Sequence, residues 1–244
     1  EPLARELYRV LKPGGVGVWI VNDATVNGSE TLTSCEQKIF FREIGFNIHD
    51  TMIYEKENPI PGSYNRYQQS FEYMFIFSKG SISVANIIKR DLSASTKQRS
   101  RYATVSGFRN KVGNFNIRSG YAQGKTPLKN VWEYTIGTGN TTKDTEAFKH
   151  PAIFPEKLAE DHILSWSNPG DVILDPMCGS GTTCKMAAKH GRKYVGIDIA
   201  EKYCEIARKR VALIEAQPML FNNENAGEQS LAADSKGRGR KLVI

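Results

Sequence analysis

The stretch Asp-Pro-Met-Cys-Gly-Ser-Gly-Thr-Thr, residues 175–183, sets two glycines and three hydroxyl side chains between an apolar run and a helical one. Gly179 and Gly181 allow backbone to come close to a small molecule, and Ser180, Thr182 and Thr183 bring hydroxyls to a helix start. Three ligand classes suit such a turn. A phosphate cradle of the G-x-x-x-x-G-K-[ST] kind needs a lysine that is not in place. A dinucleotide fingerprint needs a third glycine, where this chain has Thr182-Thr183-Cys184. A nucleoside cofactor without a pyrophosphate needs instead an acid at the end of the next strand, to bridge ribose hydroxyls. Asp198, 17 residues beyond Gly181 in Tyr-Val-Gly-Ile-Asp-Ile-Ala, is that acid. The pattern favours S-adenosyl-L-methionine.

Elements able to position these residues are legible around them. Val-Ile-Leu-Asp, the glycine turn, a helix through Met186–Ala188, Tyr-Val-Gly-Ile-Asp and a helix from Glu201 form a βαβα unit of the doubly wound kind. Ahead of it, residues 151–170 read as a helix with Pro155 at its first position, ended by Asn168-Pro169-Gly170. Near the start, Leu3, Leu7, Val10 and Leu11 mark a helical face that stops at Pro13-Gly14-Gly15, and residues 16–22 read as a buried strand. Thr33 and Glu36 make a capping-box pattern for a helix closed by Gly45. Residues 47–56 and 71–80 are further strands, the second apolar enough to be covered on both faces.

The net charge of +7 is unevenly placed. Residues 82–130 hold ten basic side chains against the single acid Asp91, among them Lys89, Arg90, Lys97, Arg99, Arg101, Arg109, Lys111 and Arg118. Tyr102, Phe108, Phe115 and Tyr121 are interleaved. A solvated face is ordinarily mixed in sign, so a phosphate backbone is the better-fitting partner. The segment lacks a clear period and reads as an inserted module. No apolar run reaches the roughly 20 residues of a membrane span. The four cysteines, Cys35, Cys178, Cys184 and Cys204, show no metal-ligand spacing, and packing suits Cys178 and Cys184. His162 and His190 read as structural or exposed.

Three segments carry a resemblance: His-Pro-Ala-Ile-Phe-Pro (150–155), the glycine loop, and Gly-Arg-Lys-Tyr-Val-Gly-Ile-Asp-Ile (191–199). Together they are similar to the cofactor half of DNA amino-methyltransferases, which methylate adenine N6 or cytosine N4. The order of motifs resembles the family's beta subgroup, in which the catalytic half comes first, the target-recognition insert second and the cofactor half last. The resemblance spans Glu1 to about Ile214 and implies a class I, Rossmann-like α/β fold in circular order. It implies that Asp175, Pro176, Met177, Gly179, Ser180, Gly181, Thr182 and Thr183 hold S-adenosyl-L-methionine. Asp198 with Ile199 would take the ribose, and Phe154 and Pro155 the methionine end. Met177 stands where many members have Phe. Residues 54–61 resemble a family segment near the extruded base, which assigns Tyr54, Lys56, Asn58 and Pro59 to the base pocket; alone they read as an exposed strand end.

The implied organisation is 1–81 as the remainder of a catalytic subdomain, 82–130 as a DNA target-recognition insert, 131–214 as the cofactor subdomain and 215–244 as a flexible tail. Implied partners are double-stranded DNA, a cognate restriction endonuclease and a second copy of the chain, in a prokaryotic or phage-encoded, cytoplasmic setting. Adenine N6 is the expected target, with cytosine N4 as the alternative. The family's Asp/Ser/Asn-Pro-Pro-aromatic motif, which holds the target amine, is missing: none of the ten prolines is adjacent to another. It is expected upstream of Glu1, together with a central strand. Two other classes stay open, a non-catalytic DNA-binding relic and an RNA or small-molecule methyltransferase.

Overall fold

The structure is a computed structural model that describes residues 2–59, 65–91, 105–109, 115–119, 125–137 and 139–216. Helix α1 (Pro2–Val10) leads into β1 (Val16–Val21), a short β2/β3 hairpin (Thr25–Val26, Ser29–Glu30), α2 (Thr33–Glu43) and the strands β4 (Asn47–Lys56) and β5 (Phe71–Ser78). With β10 (Val131–Tyr134) these strands form one mixed sheet in the order β1-β5-β4-β10. β5 runs antiparallel to both neighbours, and β10 is parallel to β4.

β5 is covered on both faces, as its apolar run predicts. Met74 and Ile76 join Met52, Tyr54, Trp132, Tyr134 and Leu158 on one side. Phe75 and Phe77 join Ala4, Phe41 and Phe46 on the other, where Phe41 stacks on Phe77 at 4.1 Å between centroids. All four β5 residues are at most 2% exposed, so each contributes about 1.5–3 kcal/mol of hydrophobic stabilisation.

Helix α2 departs from the expected capping box. Its N-cap is Leu32, in the left-handed region at φ 58°, with no side-chain cap. The orphan N-terminal groups are met from a distance: Asp23, just past β1, accepts from Ser34 N–H at 2.9 Å and from its hydroxyl at 2.5 Å. Those bonds hold the Asp23 carboxyl below its ordinary value. Gly45, at φ 112°, closes the helix by donating to the Arg42 carbonyl.

The described residues of the basic segment are β-structured. β6 (Lys89–Asp91) pairs antiparallel with β9 (Lys125–Pro127), and the hairpin β7 (Val105–Arg109)–β8 (Phe115–Ser119) lies between them in sequence. Its stem is tied down by Asn86, whose side-chain amide donates to the Leu164 and Ser167 carbonyls and to Asn168.

The βαβα unit forms as the pattern indicates. A 3-10 turn (Thr145–Lys149) precedes α3 (Glu156–Trp166), then come β11 (Val172–Asp175), α4 (Thr182–Lys189), β12 (Lys193–Gly196) and α5 (Glu201–Glu215). Pro155 is the N-cap of α3 rather than its first helical residue. β11 and β12 pair in parallel, and Ile173 and Tyr194 pack on Ala159, Ile163, Met186 and Ala187. Val172, Leu174, Val195 and Ile197 on the opposite face are exposed. Among the described residues β11–β12 is a two-stranded sheet apart from the four-stranded one. Residues 217–244, most of the expected tail, lie outside the described residues. No helix among the described residues is long and apolar enough to cross a membrane.

Candidate functional site

The glycine loop begins as an Asx turn, with Met177 N–H donating to Asp175 Oδ1 at 3.1 Å. Cys178 N–H donates to the Ile197 carbonyl, and Gly181 N–H closes back onto the Cys178 carbonyl. Gly179 and Gly181 sit at φ 50° and 76°, where side chains are disfavoured. Sequence reasoning gives the glycines to ligand approach, and the structure supplies a second reason. A Cβ on Gly179 would lie 2.9 Å from His150 Nε2, and one on Gly181 would lie 2.5 Å from Ala207 Cβ. The loop is closed down on its own neighbours.

Asp198 completes this arrangement just after β12. Its Oδ2 accepts from Gly179 N–H at 2.9 Å and its Oδ1 from Ala200 N–H at 2.8 Å. One carboxylate thus joins the loop to the entry of α5 and keeps lone pairs for a further donor. Met177 is 59% exposed and Ile199 fully exposed beside it. A half-buried carboxylate flanked by apolar walls, with no lysine in the loop, suits a nucleoside diol better than a pyrophosphate.

The loop hydroxyls divide between two environments. Ser180 and Thr182 are buried, and Arg210 Nη1 donates to the Ser180 carbonyl (2.6 Å), Ser180 Oγ (3.0 Å) and Thr182 Oγ1 (3.2 Å). Thr183 is only half-buried. Pro155 is buried, and Phe154 packs against both the four-stranded sheet's cluster and that of α3 and α4. The thiols take part in packing: burial pushes Cys178 up to about 11 and Cys184 up to about 12, so both stay protonated near neutrality.

The residues that the resemblance assigns to a base pocket gather at the C-terminal end of β4. Tyr54 is 3% exposed, so it is no exposed strand end; it meets Tyr134 edge-on, and burial raises its hydroxyl well above the ordinary value. Lys56 pairs with Glu72 at 2.5 Å and lies 5.7 Å from the Tyr54 ring centroid. Asn58 clamps the chain leaving β10, donating to the Ile136 carbonyl and accepting from its N–H. Pro59 follows, half-buried. Of the basic residues, Lys89 and Arg90 lie exposed on β6, while Arg109 and Arg118 belong to β7 and β8. Lys97, Arg99, Arg101 and Lys111 lie outside the described residues.

Two site residues are additional to the sequence reading. His150 accepts from Ala152 N–H through Nδ1, which turns Nε2 toward Gly179, and its ring packs on Tyr203 at 4.2 Å. Arg210 is fully buried. Its signal is a cation in the apolar stripe Ala207-Arg210-Val211, at helical spacing.

Comparison with known proteins agrees with this geometry. A family model described as DNA methylase, of the N6/N4 methyltransferase type, matches residues 1–209. The orphan methyltransferase M.BamHII of Bacillus amyloliquefaciens is 47% identical over 221 residues, covering 86% of this chain and 80% of its own length. The type II methyltransferase M2.DpnII of Streptococcus pneumoniae is 35% identical over 211 residues, with 86% of this chain spanning 63% of that protein. The solved complex of M1.HpyAVI with S-adenosyl-L-methionine aligns at a TM-score of 0.57 and 21% identity, over 86% of this chain and 80% of that one. That likeness speaks for the fold, the class I methyltransferase arrangement. On the family match and the 47% identity, the chain belongs to the family of N6/N4-type DNA methylases.

Proposed function

We propose that the protein binds S-adenosyl-L-methionine at the glycine loop and serves in methyl transfer to the N6 amine of an extruded adenine in a specific DNA site. The observation that carries this reading is the Asp198 carboxylate, bonded to the Gly179 amide at the C-terminal ends of two parallel strands. The bound cofactor supplies a methyl group activated on a sulfonium. Asp198 accepts from the ribose hydroxyls, Met177 and Ile199 flank the nucleoside, and Phe154 with Pro155 borders the methionine end. The basic insert holds the duplex, with Lys89 and Arg90 on phosphates. Tyr54, Lys56, Asn58 and Pro59 border the place of the flipped base. The strands around Tyr54 and Met74 favour adenine by their resemblance to adenine enzymes.

Making an exocyclic nitrogen nucleophilic requires acceptors that hold its protons while the base stacks. No adjacent prolines occur in the 244 residues, so the Pro-Pro acceptor motif is not among them. Among the described residues, Val172, Leu174, Val195 and Ile197 leave an exposed apolar face on the β11–β12 pair. The expected result is that the 244 residues alone transfer no labelled methyl to DNA. DNA methylated by an enzyme that carries the motif is expected to yield N6-methyladenine, read by mass spectrometry of digested nucleosides. Transfer by the 244 residues would overturn the missing-motif reading, and N4-methylcytosine would replace the adenine assignment.

The DNA reading makes its own prediction. Replacing Lys89 and Arg90 together by alanine is expected to flatten the salt dependence of DNA affinity. The slope of log K against log salt should fall by about 0.9 for each phosphate no longer neutralised, nearly uniformly across sequences. An unchanged slope in a filter or anisotropy titration would remove both residues from the DNA surface.

A further inference from the structure

We propose that Arg210 is a positioning residue for the cofactor loop, fixing the loop and the segment before α3 as one rigid unit; this rests on the cofactor reading above. Arg210 is 0% exposed, and its guanidinium reaches three stretches of chain that are far apart in sequence. Nη1 holds the Ser180 carbonyl and hydroxyl and Thr182 Oγ1. Nε donates to Asp144 Oδ2 at 2.7 Å, and Nη2 to Glu156 Oε1 at 2.9 Å. Glu156 opens α3 directly after Phe154-Pro155, and Asp144 caps the 3-10 turn that leads to His150.

The two carboxylates have a second cation. Lys185 Nζ lies 2.7 Å from Glu156 Oε1 and 3.3 Å from Asp144 Oδ2. Burial works against ionisation of Asp144, but Arg210 and Lys185 outweigh it and hold the carboxyl below its ordinary value. Neutralising the acids is therefore shared, whereas the bonds to Ser180 and Thr182 are made by the Arg210 fork. A buried ion pair is weak evidence for stability and better evidence for fixed geometry. A guanidinium spreads five donors over three nitrogens in a rigid plane, and Arg210 uses all three nitrogens, which the single nitrogen of a lysine ammonium cannot match. Loop residues held before the ligand arrives spare the ordering that binding otherwise costs.

The test compares Arg210→Lys with Arg192→Lys. Arg192 is also a buried arginine in this unit, bonded to Ser167 and the His190 carbonyl, away from the glycine loop. Both variants are expected to lower the melting temperature. R210K is expected to raise the Kd for S-adenosyl-L-methionine about tenfold in calorimetry, equivalent to about 1.4 kcal/mol, and to speed amide exchange about tenfold at residues 178–183 with β4 and β5 unchanged. R192K is expected to leave Kd within about twofold and loop exchange at the wild-type rate. Should R210K fail to fold, Asp144→Asn weakens one Arg210 anchor outside the loop, with about a threefold rise in Kd expected. Equal losses of affinity in R210K and R192K, or unaltered loop exchange in R210K, would overturn the proposal. If the unsubstituted chain binds no S-adenosyl-L-methionine, the cofactor reading fails, and the exchange comparison alone decides the role of Arg210.

Discussion

Asp198→Ala is expected to weaken S-adenosyl-L-methionine binding by roughly 100-fold or more. Hydrogen bonds to a charged group are worth about 1.5–3 kcal/mol each, and a vicinal diol can make two. Even one such bond fully lost, with part of the second, reaches a hundredfold by the usual conversion of about 1.4 kcal/mol per decade. The carboxylate also bonds Gly179 and Ala200 amides, so the substitution frees the loop as well as removing the acceptor. The Gly179 amide is buried and the Ala200 amide half-buried, so leaving them without this acceptor should cost the fold about 1–3 kcal/mol. The signature is therefore a hundredfold loss of calorimetric affinity, with a urea midpoint lowered by no more than that stability cost. A Kd within threefold of the parent would mean that Asp198 serves loop closure alone.

Gly181→Ala is expected to be the more damaging change to the fold, costing about 2–5 kcal/mol. Holding alanine at φ 76° costs about 1–2 kcal/mol. Its Cβ would also lie 2.5 Å from Ala207 Cβ and 2.9 Å from Ala207 Cα, so α5 must shift, and overpacking of that kind costs about 1–3 kcal/mol. Against a total stability of about 5–15 kcal/mol, this is a large fraction. Gly170→Ala is the matched comparison, because Gly170 has φ 88° with nothing within 4 Å of an added Cβ. It should show the backbone cost alone, about 1–2 kcal/mol. Equal urea midpoints for the two variants would show that α5 does not press on the loop.

The cofactor half was legible because its signals are local. Val-Ile-Leu-Asp, the glycine turn and Asp198 lie within one βαβα unit, where periodicity and turn chemistry decide structure. The double-sided burial of β5 was readable for the same reason, as Met74–Phe77 is apolar without interruption. Features made by distant partners were not. The N-terminus of α2 is satisfied by Asp23, 11 residues before Ser34, so the local Thr33/Glu36 pattern misled. Strands β6 and β9 pair across more than thirty residues of basic, Ser- and Gly-rich chain that lacks alternation. Tyr54 reads as a strand end until the fold supplies Tyr134 from beyond the insert to cover it. Arg210 was missed because arginine is ordinarily a surface residue, and only its bonds to Asp144, Glu156 and the loop account for its burial.

If the turn between β11 and α4 is a nucleoside-cofactor site gated by Asp198, its ligand preference follows. Calorimetric titration of the chain with S-adenosyl-L-methionine, and separately with ATP and NAD, tests this most directly. The expected result is saturable one-to-one binding of S-adenosyl-L-methionine that Asp198→Ala removes, with no saturable heat from the other two. Binding of ATP or NAD in its place, or binding of S-adenosyl-L-methionine that Asp198→Ala leaves intact, would contradict it.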